Sequence, residues 1–301
     1  MAFTPAFPNA VSKRPRSQFA GKARGGQLLR DHFETGTWVL FGAALQSILT
    51  LLPITRKYAV VVVFFILGVK MLNQLLMVVG LKRNTYMDGV LDGKWAPVIP
   101  SEEDGGFGGD QEDVSPCGEC IPDPLFHHDE SPLGILAPGA KELNDYSESM
   151  YRELDNRAEY FGFLGASTNI NTSDRSTLSE MVVILYFRSL EYLAKFANEE
   201  AHREGWNWWN KVSAAGKVNH IGISHEVYSV PNGNWEGIYI NFKPTGLGAT
   251  SHLVKDKDGE KKWTSPLVDA RRGRLRTENG RMGLSMGHDY EKYNNDPYAK
   301  A

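Results

Sequence analysis

Tyr58 to Leu81 is an apolar run broken only by Lys70, Asn73 and Gln74. A bilayer's hydrocarbon core is about 30 Å thick, which a helix crosses with about 20 apolar residues. The run meets that length. Its centre, Val60 to Val69, is apolar on every face, whereas a helix resting on a soluble core is apolar along one stripe. A shorter apolar run, Trp38 to Leu52, contains Gln46, Ser47 and Thr50, and Pro53 closes it. Arg56 and Lys57 lie between the two. Residues 35–81 therefore read as a membrane-anchoring transmembrane helical hairpin, either two spans or one span with a re-entrant segment. Lys13, Arg14, Arg16, Lys22, Arg24 and Arg30 precede it, and Lys82 and Arg83 follow. If both segments cross, both flanks are cytosolic. The expected localisation is a membrane, with the main domain in the cytosol, and deletion of residues 1–81 is expected to release a folded domain. A secretory signal does not fit, because the apolar stretch starts too far in and no small-residue cleavage site follows it.

The charge balance adds an exclusion. Lysine and arginine number 33 against 36 acidic residues, a net charge of -3, so no nucleic-acid or other polyanionic partner is indicated. Cys117 and Cys120 are the two cysteines, too few for a disulfide framework, and a reducing compartment follows. With His127 and His128 they could be drawn as a zinc site. Adjacent histidines rarely converge on one ion and there is no second CxxC, so no metal is expected. The Gly-rich stretch near Gly105 does not follow a strand and enter a helix, so no dinucleotide fingerprint is present.

The rest of the chain divides by composition. Residues 1–34 are polar, with Pro5, Pro8, Pro15 and Gly25-Gly26, and read as a disordered basic arm. Residues 82–138 read as a linker and irregular segment, with an acidic, glycine-rich run from Glu102 to Asp110. Residues 139–250 carry the periodic elements of an α+β domain. Residues 251–301 are polar and read as a mostly disordered tail. Within the domain, Leu143, Tyr146, Met150, Leu154 and Ala158 recur at helical spacing. Met181 to Phe187 is an apolar strand, and an aromatic helical segment follows from Ser189.

The densest chemistry lies between His202 and Phe242. His202, Trp206 and Trp209 fall at i, i+4 and i+7, one stripe of a helix unless Gly205 ends it. Such a stripe reads either as core aromatics capped by a histidine or as a histidine base in an indole-walled pocket. Further on, a turn at Pro231–Asn234 predicts a hairpin that pairs Val230 with Trp235, Tyr228 with Gly237, Glu226 with Tyr239 and Ser224 with Asn241. In that register Ser224, Glu226, Tyr228, Tyr239 and Asn241 share a polar face, which suits a pocket wall. His225 joins Ile223, Val227, Ile238, Ile240 and Phe242 on the apolar face, where a lone histidine is more often a satisfied core residue than a ligand.

Several segments resemble a fungal family of monooxygenase-like proteins with a member in the fumagillin pathway. They are Asn84–Val90, Ser131–Gly139, Tyr186–Glu191, Phe196-Ala197, His202–Trp209, His225–Tyr228 and Trp235–Asn241. The family is similar to antibiotic-biosynthesis monooxygenases, whose ferredoxin-like α+β units pair into a dimeric α/β barrel. The resemblance implies a homodimer and a membrane-associated monooxygenase of fungal secondary-metabolite biosynthesis, acting on an apolar small molecule. Molecular oxygen would be the co-substrate, with no bound cofactor. In that reading His202 or Glu226 is the base and Tyr228 and Asn241 orient the substrate, with His225 as a further candidate. Trp206, Trp209, Trp235 and Tyr239 form the substrate pocket. A haem-binding barrel such as a dehydratase, with His225 or His202 as axial ligand, is one alternative. A non-catalytic membrane-tethered binding protein is another. Cys117 to His128 departs from the apolar strand the family has there.

Overall fold

The computed structural model describes residues 3–17, 35–53, 55–107, 121–129, 136–170, 181–230 and 234–283, with the backbone alone for 121–129 and 170. Two apolar helices come first, α1 (Thr35–Leu51) and α2 (Ala59–Val78). The remaining elements are β1 (Leu91–Pro97), β2 (Ile121–Asp129), α3 (Ala140–Asn156), β3 (Phe163–Ile170), β4 (Met181–Phe187), α4 (Leu190–Ala197), α5 (Glu200–Ala214), β5 (Ile221–His225), β6 (Tyr239–Phe242), β7 (His252–Lys255), β8 (Lys261–Thr264), β9 (Leu267–Asp269) and the short α6 (Glu278–Arg281).

Strands β3-β4-β2-β5 form a four-stranded sheet, antiparallel throughout. Strand, helix, two strands, helices, strand, in that spatial order, is the split βαβ arrangement of a ferredoxin-like unit. The α+β class expected from the sequence is what the chain adopts. The unit begins earlier than residue 139, because β2 supplies a central strand. Pro122 and Pro124 did not forbid this. β5 pairs with β2 only from Leu125 onward, so both prolines lie where β2 has one neighbour and an absent N–H leaves no ladder position empty.

β4 explains how the unit packs. Met181, Val183, Leu185 and Phe187 are buried, while the residues between them are half-buried. The buried set meets Tyr151 and Leu154 of α3 and Leu193 and Phe196 of α4, with Phe161 and Phe163 from the turn into β3. Each such side chain contributes about 1.5–3 kcal/mol on burial. The helical spacing read from Leu143 to Ala158 lies on the inner face of α3, whose Leu154 is fully buried. Gly205 does not end α5. It sits mid-helix, where a Cβ would collide with Met150 of α3, so it lets the two helices meet closely.

A second sheet, β6-β1-β9, and a hairpin, β7-β8, complete the molecule. Ala96, Val98, Phe107, Val268, Ala270 and Leu275 form its core, and Phe3 packs against it. Residues 3–17 are thus not a disordered arm. Ala6 donates to the Leu267 carbonyl, Asp269 N–H to that of Thr4, and Val11 pairs with Trp263. Arg14 then forms a buried ion pair with Asp155 at the end of α3, and Ser17 binds the same carboxylate. The reading of 251–301 as mostly disordered also fails for residues 251–283, which hold β7, β8, β9 and α6. Likewise 82–138 includes β1 and β2 as well as connecting segments.

The hairpin expected around Pro231–Asn234 does not form. β5 pairs with β2, and β6 pairs with β1 in the other sheet, Leu91 opposite Phe242 and Trp95 opposite Tyr239. The face assignments that depended on that register fall with it. Of the apolar helices, α2 has 20 residues and is long and apolar enough to cross a membrane, and only Ala59 at its start is buried in the protein. α1 has 17 residues, about 26 Å, and falls short.

His252 on β7 is buried, and its Nε2 lies 3.0 Å from Thr250 Oγ1. That hydroxyl donates to the Leu247 carbonyl, which leaves its oxygen to accept from the imidazole N–H. Burial, with the positive charges of Arg188 and Arg14 behind it, pushes the imidazole pKa down to about 3. The unfolded chain takes up a proton as pH falls through about 6.5, and the folded chain does not until about 3. Stability from this group is therefore present above pH 6.5 and lost as pH falls toward 3, by about 1.4 kcal/mol per unit at most. Urea melts of wild type and His252→Gln between pH 7 and pH 4 are expected to show a shallower acid loss for the variant.

Candidate functional site

The helices cover one face of the four-stranded sheet. The other face carries Val182, Ile184 and Tyr186 of β4, all half-buried. Ser167 pairs with Ile184, and Ser224 shares a β2 partner with Val182, so both belong to this face. Apolar side chains occupy its middle and hydroxyls its margins.

Residues 245–250 roof one end of this face. Gly246 N–H donates to Ser167 Oγ at 3.0 Å, and a Cβ on Gly246 would stand 3.2 Å from the Tyr186 hydroxyl. Tyr239 reaches in from β6. Its hydroxyl donates to the Thr245 carbonyl at 2.8 Å and accepts from Gly248 N–H at 2.9 Å. A Cβ on Gly248 would lie 2.7 Å from the Tyr239 ring, so a side chain there would displace the phenol. Burial holds the Tyr239 phenol above its ordinary pKa, with the Gly248 N–H pulling the other way, so it stays a neutral donor at physiological pH. Ser167 and Tyr239 thus pin the roof, and they place it beside the Tyr186 hydroxyl at the edge of an apolar floor, where a substrate oxygen can be oriented.

The other residues singled out from the sequence are distributed differently. Glu226 lies one residue past the last pair of the β2–β5 ladder, Leu125 with His225. It is exposed and accepts a hydrogen bond from Tyr228, which raises the Tyr228 phenol pKa. His225 is exposed at the end of β5, not buried on an apolar face as its expected register required. His202 lies in the helical layer, with its ring edge-on to Phe196 at 5.5 Å. The stripe it was to share with Trp206 and Trp209 is not the buried one. Trp206 is 51 % exposed, Gly205 is buried, and Trp208 packs against Tyr146 and Trp209. Trp235 is half-buried, and its indole N–H is buried with no acceptor among the described residues.

Asn241 has a local task. It adopts a left-handed backbone (φ 47°) opposite the bulge between Leu91 and Lys94, and its Oδ1 accepts from Gly93 N–H at 2.8 Å. Neither His202 nor His225 belongs to the open face, since the register sets His225 with Val183 on the helix side. Neither imidazole is therefore placed to hold a haem iron over that face. Among the described residues no group of three or more His, Cys, Asp or Glu is placed to hold a metal ion. Cys117 and Cys120 lie outside the described residues, as do the side chains of His127 and His128.

Sequence reasoning passed over Ser167 and Tyr186. The available signal for Tyr186 was a phenol alternating with Val182 and Ile184 in an otherwise apolar strand.

The family described as Monooxygenase af470-like matches residues 130–247, which span β3, β4, β5, β6 and the start of the roof. Over these residues the chain is similar to this monooxygenase family, which supports an oxidoreductase. It is similar to Monooxygenase af470 of Aspergillus fumigatus, with 29% identity over 257 residues that cover 85% of this chain and 89% of that protein. Among solved structures, aldoxime dehydratase OxdRE in complex with butyraldoxime aligns with 42% of this chain and 36% of its own at 17% identity, with a TM-score of 0.35. SnoaB, a cofactor-independent oxygenase from Streptomyces nogalater, aligns with 37% of this chain and 93% of its own at 8% identity, with a TM-score of 0.24.

Asn241→Ala is expected to lose about 1–3 kcal/mol, because it removes the acceptor for Gly93 N–H and leaves a Cβ in the left-handed region. Asn241→Gly is expected to lose less, since glycine tolerates that backbone. Equal melting temperatures for the three proteins would contradict the bulge role.

Proposed function

We propose that the protein is a membrane-associated monooxygenase acting on an apolar, electron-rich small molecule in fungal secondary metabolism, with the open sheet face as its substrate wall. The observation that carries this reading is the family match across the strands and roof that form that face. The substrate's body would lie on Val182 and Ile184, with an oxygen held by Tyr186 beside the roof that Ser167 and Tyr239 fix in place. Glu226, one residue beyond Ser224's ladder, would take the proton, with Tyr228 holding its carboxylate in place. The carbanion so formed passes an electron to molecular oxygen. Overall a methylene becomes a carbonyl, one oxygen atom enters the product and the other leaves as water. The substrate supplies all the electrons, so no external reductant is needed. In this reading two copies pair through their open sheet faces, enclosing the site and excluding water.

The test is oxygen uptake with a panel of hydroquinones and anthrones. Glu226→Gln is expected to slow turnover by about 10²–10⁴-fold with little change in melting temperature. Tyr186→Phe is expected to raise KM or lower kcat without changing the pH profile. Normal rates in both variants would sink the assignment of this face.

Membrane association rests on α2 and on chain topology. Residues 3–17 pack on the same body as β1 and β9, so the two ends of the apolar segment leave and rejoin one domain. A single crossing would put those ends on opposite sides. The reading is therefore α2 with α1 as a second, short or re-entrant element, and the domain on the cytosolic side. Full-length protein is expected to remain in the membrane pellet after high-salt and carbonate washes. Quantitative release into the supernatant would end this part of the proposal.

A further inference from the structure

A cleft of about 830 Å³ lies where residues 12–16 cross the end of α3, on the helix side and away from the open sheet face. Five cations line it, with two carboxylates. Both carboxylates are already engaged: Asp155 by Arg14 and Ser17, and Glu159 by Lys261. Arg157 is held by Glu153 and Glu199 from outside the cleft. That leaves Lys13, Arg16 and Lys195, none of which has a carboxylate within 4 Å among the described residues. The carbonyl end of α3 offsets only about half a charge. The chain as a whole is net negative, at -3, so this surplus is local.

The aromatic wall is ordered by the same cations. The Lys195 ammonium stands 3.4 Å from the Tyr160 ring centroid, and the Arg157 guanidinium 4.2 Å from the same centroid. Two cations this close to one ring repel each other, and an anion in the cleft would offset that repulsion. Tyr192 and Trp263 supply further ring surface. Convergent free charges from the arm and from α4 suit a polyanion better than a single carboxylate, and the Arg16 guanidinium fork matches phosphate oxygens. We infer that this cleft binds an organic phosphate, its phosphates held by Lys13, Arg16 and Lys195 and a planar body lying against the aromatic wall. It is a second site, separate from the oxygenase face and independent of the function proposed for it.

The test is calorimetry on the full-length chain in neutral detergent, with pyrophosphate, adenosine diphosphate and adenosine as probes. Adenosine diphosphate is expected to bind more tightly than pyrophosphate, adenosine not at all, and both anions more weakly as salt rises. Arg16→Glu with Lys195→Glu is expected to weaken both by at least about ten-fold. Both residues are exposed, so the double variant's melting temperature should match wild type, and Lys211→Glu, exposed on α5, should bind normally. No heat with either anion, undiminished binding by the double variant, or adenosine binding as well as its diphosphate would overturn the inference. So would binding confined to phosphatidylcholine vesicles doped with a phosphorylated inositol lipid, which would make the cleft a headgroup site.

Discussion

Met181, Val183, Leu185 and Phe187 have to be kept from water, and most of the main domain is placed by how that is achieved. A strand alternates its side chains, so the same seven residues that turn four apolar groups toward α3 and α4 turn Val182, Ile184 and Tyr186 the other way. The helical layer can satisfy only one of these faces. The second keeps apolar surface half-covered, and that residue of exposure is what makes a substrate wall available. Under the proposed function, stability and activity meet in a single strand, with odd positions serving the core and even positions forming the proposed substrate wall.

Periodicity made part of this legible. The inner face of α3, the limits of β4 and the all-round apolarity of α2 could be read directly, because each is a local pattern repeated over several turns or residues. Pairing partners could not. β5 and β6 are five and four residues long, and alternation within such short strands fixes which residues share a face but not which strand lies alongside. The turn between them suggested a hairpin, but each found a longer partner, β2 and β1. β2 itself was hidden by Pro122 and Pro124, which are acceptable only because β5 is too short to reach them.

Residues 3–17 of the arm were illegible for a different reason. Its composition is that of a solvated segment, and its order comes from backbone bonds to β8 and β9 and from one buried charge pair, Arg14 with Asp155. Polar composition reports the absence of a hydrophobic stripe, not the absence of backbone partners. The candidate site suffered similarly. Tyr186 and Ser167 acquire meaning only when the roof at Gly246 arrives from a distant part of the sequence. Asn241 looked like substrate chemistry and turned out to serve a bulge.

The arm's docking also changes what it means to detach this domain. The pair Arg14–Asp155 belongs half to the segment ahead of the apolar helices and half to α3 behind them. Truncation at residue 81 would therefore strip the guanidinium from a buried carboxylate and uncover Phe3's seat on the second core. Excising 35–81 and rejoining the ends would leave both intact. By the same geometry the apolar helices are tied to the domain at both ends of their segment. A protease that cuts between α2 and β1 severs one tie, and the domain still holds the helices through the laced arm.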